Sequence, residues 1–249
     1  MRFTHRMSRL HTGAMRVVIG EIASGRYAEG ELLPREVDLA ARFGFSRNVA
    51  RECVRGLEER RLVSVRHGSG ARVRPEHEWD RFDSDVLAAL LGGPRAPAVI
   101  AEYLECRRIL EVEAAALAAE RAGEEELEEL SETFSRMKLT ADGARDNPAG
   151  EALYREADVA FHRAVVRAAR NPVLGRMTEP IHRALSETFA TLARPQLRFE
   201  RGLPEHERIL AAVQAGDPKR AREAMRAHLV TVERYLREYG EQLAGPEAA

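Results

Sequence analysis

Asp158 and His162 stand four residues apart in DVAFHRAVV, so on a helix both side chains leave one face, in company with Phe161, Val165 and Ala169. That face is otherwise apolar and turns inward. His206 keeps register with Ile209, Leu210 and Val213, and His228 with Ala221, Ala224, Met225 and Val232, so each also points into a core. Three imidazoles and a carboxylate are a donor set for a divalent metal, zinc first, with nickel or manganese as alternatives and positions left for exogenous oxygen ligands. The same spacing describes core histidines satisfied by hydrogen bonds, one of them paired with Asp158. Unpaired buried polar groups are costly, which keeps a shared site in contention, and spacing alone leaves both readings open. His182, in TEPIHRAL, ranks behind these four as a spare ligand or pocket liner.

A second chemistry lies in SRNVARECVRGL. Ala50, Cys53, Val54 and Leu57 recur at helical spacing and pack inward, which leaves Arg47, Asn48 and Arg51 outward near the helix start. Two guanidiniums and an amide there are suited to base edges and phosphates in a major groove. Arg107 and Arg108 pose a third question. In CRRILEVEAAALAAERA the apolar face runs through Ile109, Leu110, Ala114 and Leu117, and an Arg at its edge usually reaches to solvent. Turned inward, Arg107 would instead grip a carboxylate at two points. The pattern by itself favours the solvated orientation.

The elements that must position these groups follow from periodicity and punctuation. Helices are expected over 8–25, 35–43 and 47–60, with Pro34 suited to a helix start. Two strand-like runs, LVSVR and ARVR, are joined by HGSG to give a basic hairpin over 62–74 that Pro75 ends. Helix, turn, helix and hairpin make a winged helix-turn-helix. PEHEWDRFDS reads as a hinge whose aromatics dock on a neighbouring surface. From residue 84 onward only helical patterns appear, over 84–91, 98–121, 124–140, 150–169, 173–193, 205–215 and 217–241, broken at turn-rich GGPRAP, AGEE, ADGARDNPAG, RNP and AGDP. The fold class is therefore mainly α: an N-terminal winged helix-turn-helix followed by an all-α antiparallel helical bundle of six or seven helices. The expected divisions are a DNA-binding domain at 1–76, a linker at 77–84, a helical domain at 85–241 and a tail at 242–249.

Charge supports this division. The 249 residues carry a net charge of −1, which splits into +6 over residues 1–76 and −7 over 77–249. A basic end on an acidic body suits a nucleic-acid module joined to a regulatory or catalytic domain. Two cysteines, Cys53 and Cys106, are too few for a disulfide framework and fit a reducing cytoplasm. No run of 18 apolar residues is present, and MRFTHRMSRLHTG has positive charge without an apolar stretch of signal length, so a cytoplasmic location is expected.

Together these features resemble the GntR family of bacterial transcription regulators, in the FadR subgroup that carries an FCD ligand-binding domain. GELLPREVDLAARFGFSRNVARECVRGLEERRLVSVRHGSGARV is similar to the family's winged helix, and RRILEVEAAALAAERA, DVAFHRAVVRAARNPVL, EHERILAAVQAGD and AREAMRAHL to the FCD blocks in order. The resemblance implies that Arg47 and Arg51 contact bases and phosphates. Ser46 and Asn48 would assist, and His67 and Gly68 at the hairpin tip would reach the minor groove. It implies that Asp158, His162, His206 and His228 bind the metal and that Arg107 binds an effector carboxylate. Two departures stand out. Where the family has a small capping residue, Glu and then a basic DNA contact, this chain has Arg35-Glu36-Val37, so that contact is lost or made by Arg35. Cys53 replaces a usual Ala; a small buried hydrophobe accounts for it better than a redox group.

The function this implies is an effector-responsive transcription regulator, a repressor, acting as a homodimer on a palindromic double-stranded DNA operator. The effector would be a small carboxylate: a sugar acid, hydroxy acid or dicarboxylate. Rival readings are a DNA-binding protein with a purely structural metal, a constitutive nucleoid-type binder, and a metal-dependent hydrolase. Against the last, spacing places no Glu or Asp as a base beside the ligands.

Overall fold

In the computed structural model of the protein, residues 2–66, 69–143, 148–191 and 196–244 are described, with side chains over 12–66, 69–141, 149–186 and 202–236. The chain divides into two compact units, Met1–Val99 and Ile100–Ala249.

In the first unit, α1 (Arg2–Ala23) buries Met15, Val18, Ile19 and Ile22, the stripe its spacing predicts. It packs on α3 (Arg47–Glu59), which buries Ala50, Cys53, Val54 and Leu57. Approach is close because residue 56 is glycine: a Cβ there would lie 2.7 Å from Met15 Sδ. Between them α2 (Glu36–Phe43) ends at Gly44, whose φ of 69° is left-handed and whose N–H returns to the Ala40 carbonyl. This is the tight turn of the helix-turn-helix.

The wing is an antiparallel pair, β1 (Val63–Arg66) and β2 (Gly70–Val73), in register Val63 to Val73 and Arg66 to Gly70. Residues 30–33 add a short outer edge through Leu33 N–H to the Ala71 carbonyl and Val73 N–H to the Glu31 carbonyl.

The segment expected to be a hinge is largely tied down. Glu76–Glu78 forms a single 3₁₀ turn, and Trp79 is buried with its indole N–H on the Arg74 carbonyl at 2.9 Å, whereas Phe82 remains 53% exposed. Asp83 caps α4 (Ser84–Leu91) by accepting from the N–H groups of Asp85 and Val86. Val86, Leu87 and Leu90 are buried and α4 packs on α1, with Arg16 reaching Asp85 at 2.7 Å and Arg60 reaching Asp83 at 3.1 Å. The sequence places the division at 77–84; by contacts it falls between residues 99 and 100, because α4 gives its apolar face to the first unit.

The second unit holds most of α5 (Ala96–Arg121), then α6 (Glu124–Gly143), α7 (Pro148–Ala168), α8 (Pro172–Thr191), α9 (Gln196–Gln214) and α10 (Pro218–Ala244). α7 packs on α6 and α8, and α9 on α6 and α10, around Val112, Leu130, Met137, Phe161, Ile209, Met225 and Leu229. The expected breaks act as helix starts. Asn171 and Asp217 supply side-chain caps, each followed by proline at the first helical position. α9 differs from expectation. It begins nine residues before 205, because Pro204 sits inside the helix, where it removes one backbone bond without ending the run. Among the described residues no helix is long and apolar enough to cross a membrane.

Candidate metal centre and candidate nucleic-acid interface

α7, α9 and α10 each deliver a buried histidine to one point. His162, His206 and His228 are at most 3% exposed, and their candidate ligand atoms all lie within 4.8 Å of one another. His162 Nε2 is 3.2 Å from His206 Nε2, which is 3.3 Å from Asp158 Oδ1. Asp158 sits one turn before His162 on α7, so the structure brings together all four groups that the sequence singles out.

The other ring nitrogen of each histidine faces an acceptor. His206 Nδ1 is 2.7 Å from the Gly202 carbonyl and His228 Nδ1 is 3.0 Å from Glu205 Oε2, both hydrogen bonds, while His162 Nδ1 lies 2.6 Å from the negatively charged Glu111 Oε2, at ion-pair distance but not aligned as a hydrogen bond. Acceptors at Nδ1 place the proton there and leave the Nε2 lone pair free. Lone pairs so arranged repel one another unless a cation lies among them. Burial pushes His162 down to about 3, with Glu111 pulling the other way, and burial reinforced by His206 holds His228 well below its ordinary value. Both rings are therefore neutral near pH 7, the form that ligates metal. Neutral inward imidazoles, a carboxylate and pinned outer nitrogens fit a divalent transition ion.

Glu111 is one of two carboxylates beside these histidines that the sequence reading missed. It is fully buried on α5, and its Oε1 accepts from Arg107 Nε and from His182 Nε2, each at 2.7 Å, while Oε2 faces His162. Burial alone would raise its pKa, but Arg107 and the two imidazoles outweigh that and hold the carboxyl well below the usual carboxylate range. Arg107 is 5% exposed, so the solvated orientation favoured by the apolar pattern is corrected. The inward line of α5 runs through Leu104, Arg107, Glu111, Ala115 and Ala118, while Ile109 faces outward at 58% exposure. That line has spacings of three and four and was readable in principle; the bulk of Ile109 and Leu110 drew the apolar face a sector too far round. Glu205 is the second carboxylate beside the histidines that spacing did not place. His182, ranked as a spare, has Nε2 on Glu111 and leaves Nδ1 buried without a partner among the described residues.

In the first unit, Arg47, Asn48 and Arg51 are exposed along the first turns of α3. Ser46 caps α3, its hydroxyl accepting from Val49 N–H at 3.4 Å. Arg35 is exposed at the N-cap of α2 and makes no side-chain cap bond. His67 and Gly68 lie outside the described residues. Burial pushes the Cys53 thiol up to about 11, which keeps it protonated and inert.

A model of the FCD domain family matches residues 102–231, and one for bacterial regulatory proteins of the gntR family matches residues 16–73. The chain is 31% identical over 219 residues to the galactonate operon transcriptional repressor of Escherichia coli (strain K12), covering 88% of this chain and 93% of that protein. It is 33% identical over 227 residues to the HTH-type transcriptional regulator LutR of Bacillus subtilis (strain 168), covering 89% and 98%. Among solved structures, that of Lar of Listeria monocytogenes superposes with a TM-score of 0.62 at 19% identity, over 92% of this chain and 96% of that one, which is a likeness of fold.

Proposed function

Because the chain belongs to the GntR family of bacterial transcriptional regulators, in the group whose second domain is an FCD domain, we propose that a small hydroxylated carboxylate, bound at a metal held by Asp158, His162, His206 and His228, controls its grip on a DNA operator. The convergence of the three histidines, each with Nδ1 facing an acceptor, carries this reading. Zinc suits the donor set, with nickel or manganese as alternatives. When bound, the metal supplies positive charge and open positions for the oxygens of an acid. The protein's own residues complete the grip. Glu111 takes Arg107 Nε, and a guanidinium held in this way would meet a second carboxylate with its Nη1/Nη2 edge. With its Nε2 proton directed at Glu111, His182 presents Nδ1 as a buried acceptor suited to a hydroxyl donor. An acid that also bears a hydroxyl satisfies both, and a relative that represses a galactonate operon supports that class.

On the DNA side, Arg47, Asn48 and Arg51 enter the major groove, assisted by Ser46, with Arg35 as a flanking contact and His67 and Gly68 toward the minor groove. Two copies of α3, one from each protomer of a homodimer, read the halves of a palindrome. Effector and operator oppose one another through a coupling free energy of about 1–3 kcal/mol. The test is a thermal-melt screen of zinc-loaded and chelated protein against sugar acids, hydroxy acids and dicarboxylates. An acid that raises the melting temperature only when zinc is present, and that loosens DNA, supports the reading. Stabilisation by zinc with no response to any acid favours a structural metal instead.

A further inference from the structure

We infer that Glu111 is the positioning residue of this centre, one buried carboxylate that fixes the ring tautomer of His162 and the orientation of Arg107 together. The inference rests on the metal reading above. Glu111 meets groups from three helices: Arg107 on its own α5, His162 on α7 and His182 on α8. Its two oxygens are divided between two tasks. Oε1 takes the donors Arg107 Nε and His182 Nε2, both at 2.7 Å, and Oε2 stands 2.6 Å from His162 Nδ1. A fully buried carboxylate is retained only with such compensation, and a buried guanidinium likewise needs its partner.

The division makes the exchange of Glu111 for glutamine informative. An amide has one acceptor end and one donor end. With its oxygen toward Arg107 and His182, its NH₂ faces His162 Nδ1, so the proton on that ring must move to Nε2 and the lone pair is lost from the cluster. The opposite orientation sets NH₂ against a buried guanidinium and leaves that charge unpaired, the costlier arrangement. Glu111→Gln therefore switches the His162 tautomer. Loss of such an outer partner lowers metal affinity about 10–100-fold.

The experiment is a zinc titration of the full chain against a chromophoric chelator, with ¹⁵N NMR of the imidazoles in the metal-free state. Wild type is expected to hold zinc with His162 protonated at Nδ1, and Glu111→Gln to hold it about 10–100-fold more weakly with the proton at Nε2. Removing the guanidinium as well, in Arg107→Met/Glu111→Gln, frees the amide to turn its oxygen to His162, and zinc affinity returns to within a few-fold of wild type. A merely structural role predicts no such rescue, and its absence overturns the proposal. Equal zinc affinity in wild type and Glu111→Gln overturns it while leaving the metal reading intact. A wild type that binds no zinc at these histidines removes both. If the single variant does not fold, two uncharged doubles decide. Arg107→Met/Glu111→Gln must bind zinc more tightly than Arg107→Met/Glu111→Leu, and equal affinities end the idea.

Discussion

Glu205 on α9 faces His228 on α10, Oε2 to Nδ1, at 3.0 Å, while the Thr231 hydroxyl lies 2.9 Å from its other oxygen. This pairing differs from that at Glu111 in what it tolerates. The Thr231 hydroxyl is also 3.1 Å from the Ala227 carbonyl, so it can donate there and accept from an amide. Glu205→Gln can then keep its oxygen on His228 and should hold zinc within a few-fold of wild type. Glu205→Ala and His228→Ala should each weaken zinc by about 10-fold or more. Chelator competition separates the cases; equal damage from Gln and Ala at 205 would show that charge, and not the hydrogen bond, is what matters there.

Arg47 and Arg51 are exposed on α3 and make no contribution to its buried face, so truncating them should spare the fold. Each change to Ala should cost about 1–3 kcal/mol in binding to a selected operator, and lower the salt slope by about 1 where the lost contact is to phosphate. Fluorescence anisotropy across a salt series measures both. Zinc content should not change. A variant that loses metal along with DNA binding would contradict the separation of the two sites.

The first unit was largely legible because its signals are local. The stripe Ala50, Cys53, Val54 and Leu57 fixes which way α3 turns, and that alone exposes Arg47, Asn48 and Arg51. The histidine cluster was legible for the same reason: each member sits on an apolar face of its own helix. What escaped were the groups that depend on how helices cross. Glu205 adjoins His206 in sequence yet serves His228, a pairing made by the packing of α9 on α10. Glu111 lies on a face of α5 whose alanines give a weaker apolar signal than Ile109 and Leu110 beside it. The start of α9 was misplaced because a proline ordinarily marks a boundary, and here Pro204 is carried within the helix.

Arg35 occupies the N-cap of α2 with extended backbone, φ −63° and ψ 156°, but its side chain caps nothing. Serine there would accept a hydrogen bond from the first turn, worth about 0.5–2 kcal/mol relative to a residue that cannot. Arg35→Ser should therefore raise the melting temperature of the protein. Its effect on DNA decides the role of the guanidinium. Weaker operator binding in this more stable variant assigns Arg35 a contact, and unchanged binding shows that the family's basic contact at this turn has been lost.

Acid should destabilise the metal-free protein in a window set by the histidines. His162 sits near 3 in the fold against an ordinary 6.5, and His228 is displaced in the same direction. Between those values the unfolded chain binds protons that the folded chain refuses, so stability rises with pH through the window and is lost as pH falls below about 6.5. Glu111 acts in the same sense at lower pH, since its folded carboxyl stays ionised below the range where the unfolded one protonates. From pH 6.5 down to about 5 the carboxylates contribute little, and each displaced histidine can supply up to about 1.4 kcal/mol per pH unit. The melting temperature of chelated protein should thus be level above pH 7 and decline from 6.5 downward. His162→Gln should flatten that decline between pH 5 and 6.5, whatever it does to the absolute value. A slope untouched by this change would mean that His162 is not the buried neutral ring its surroundings require.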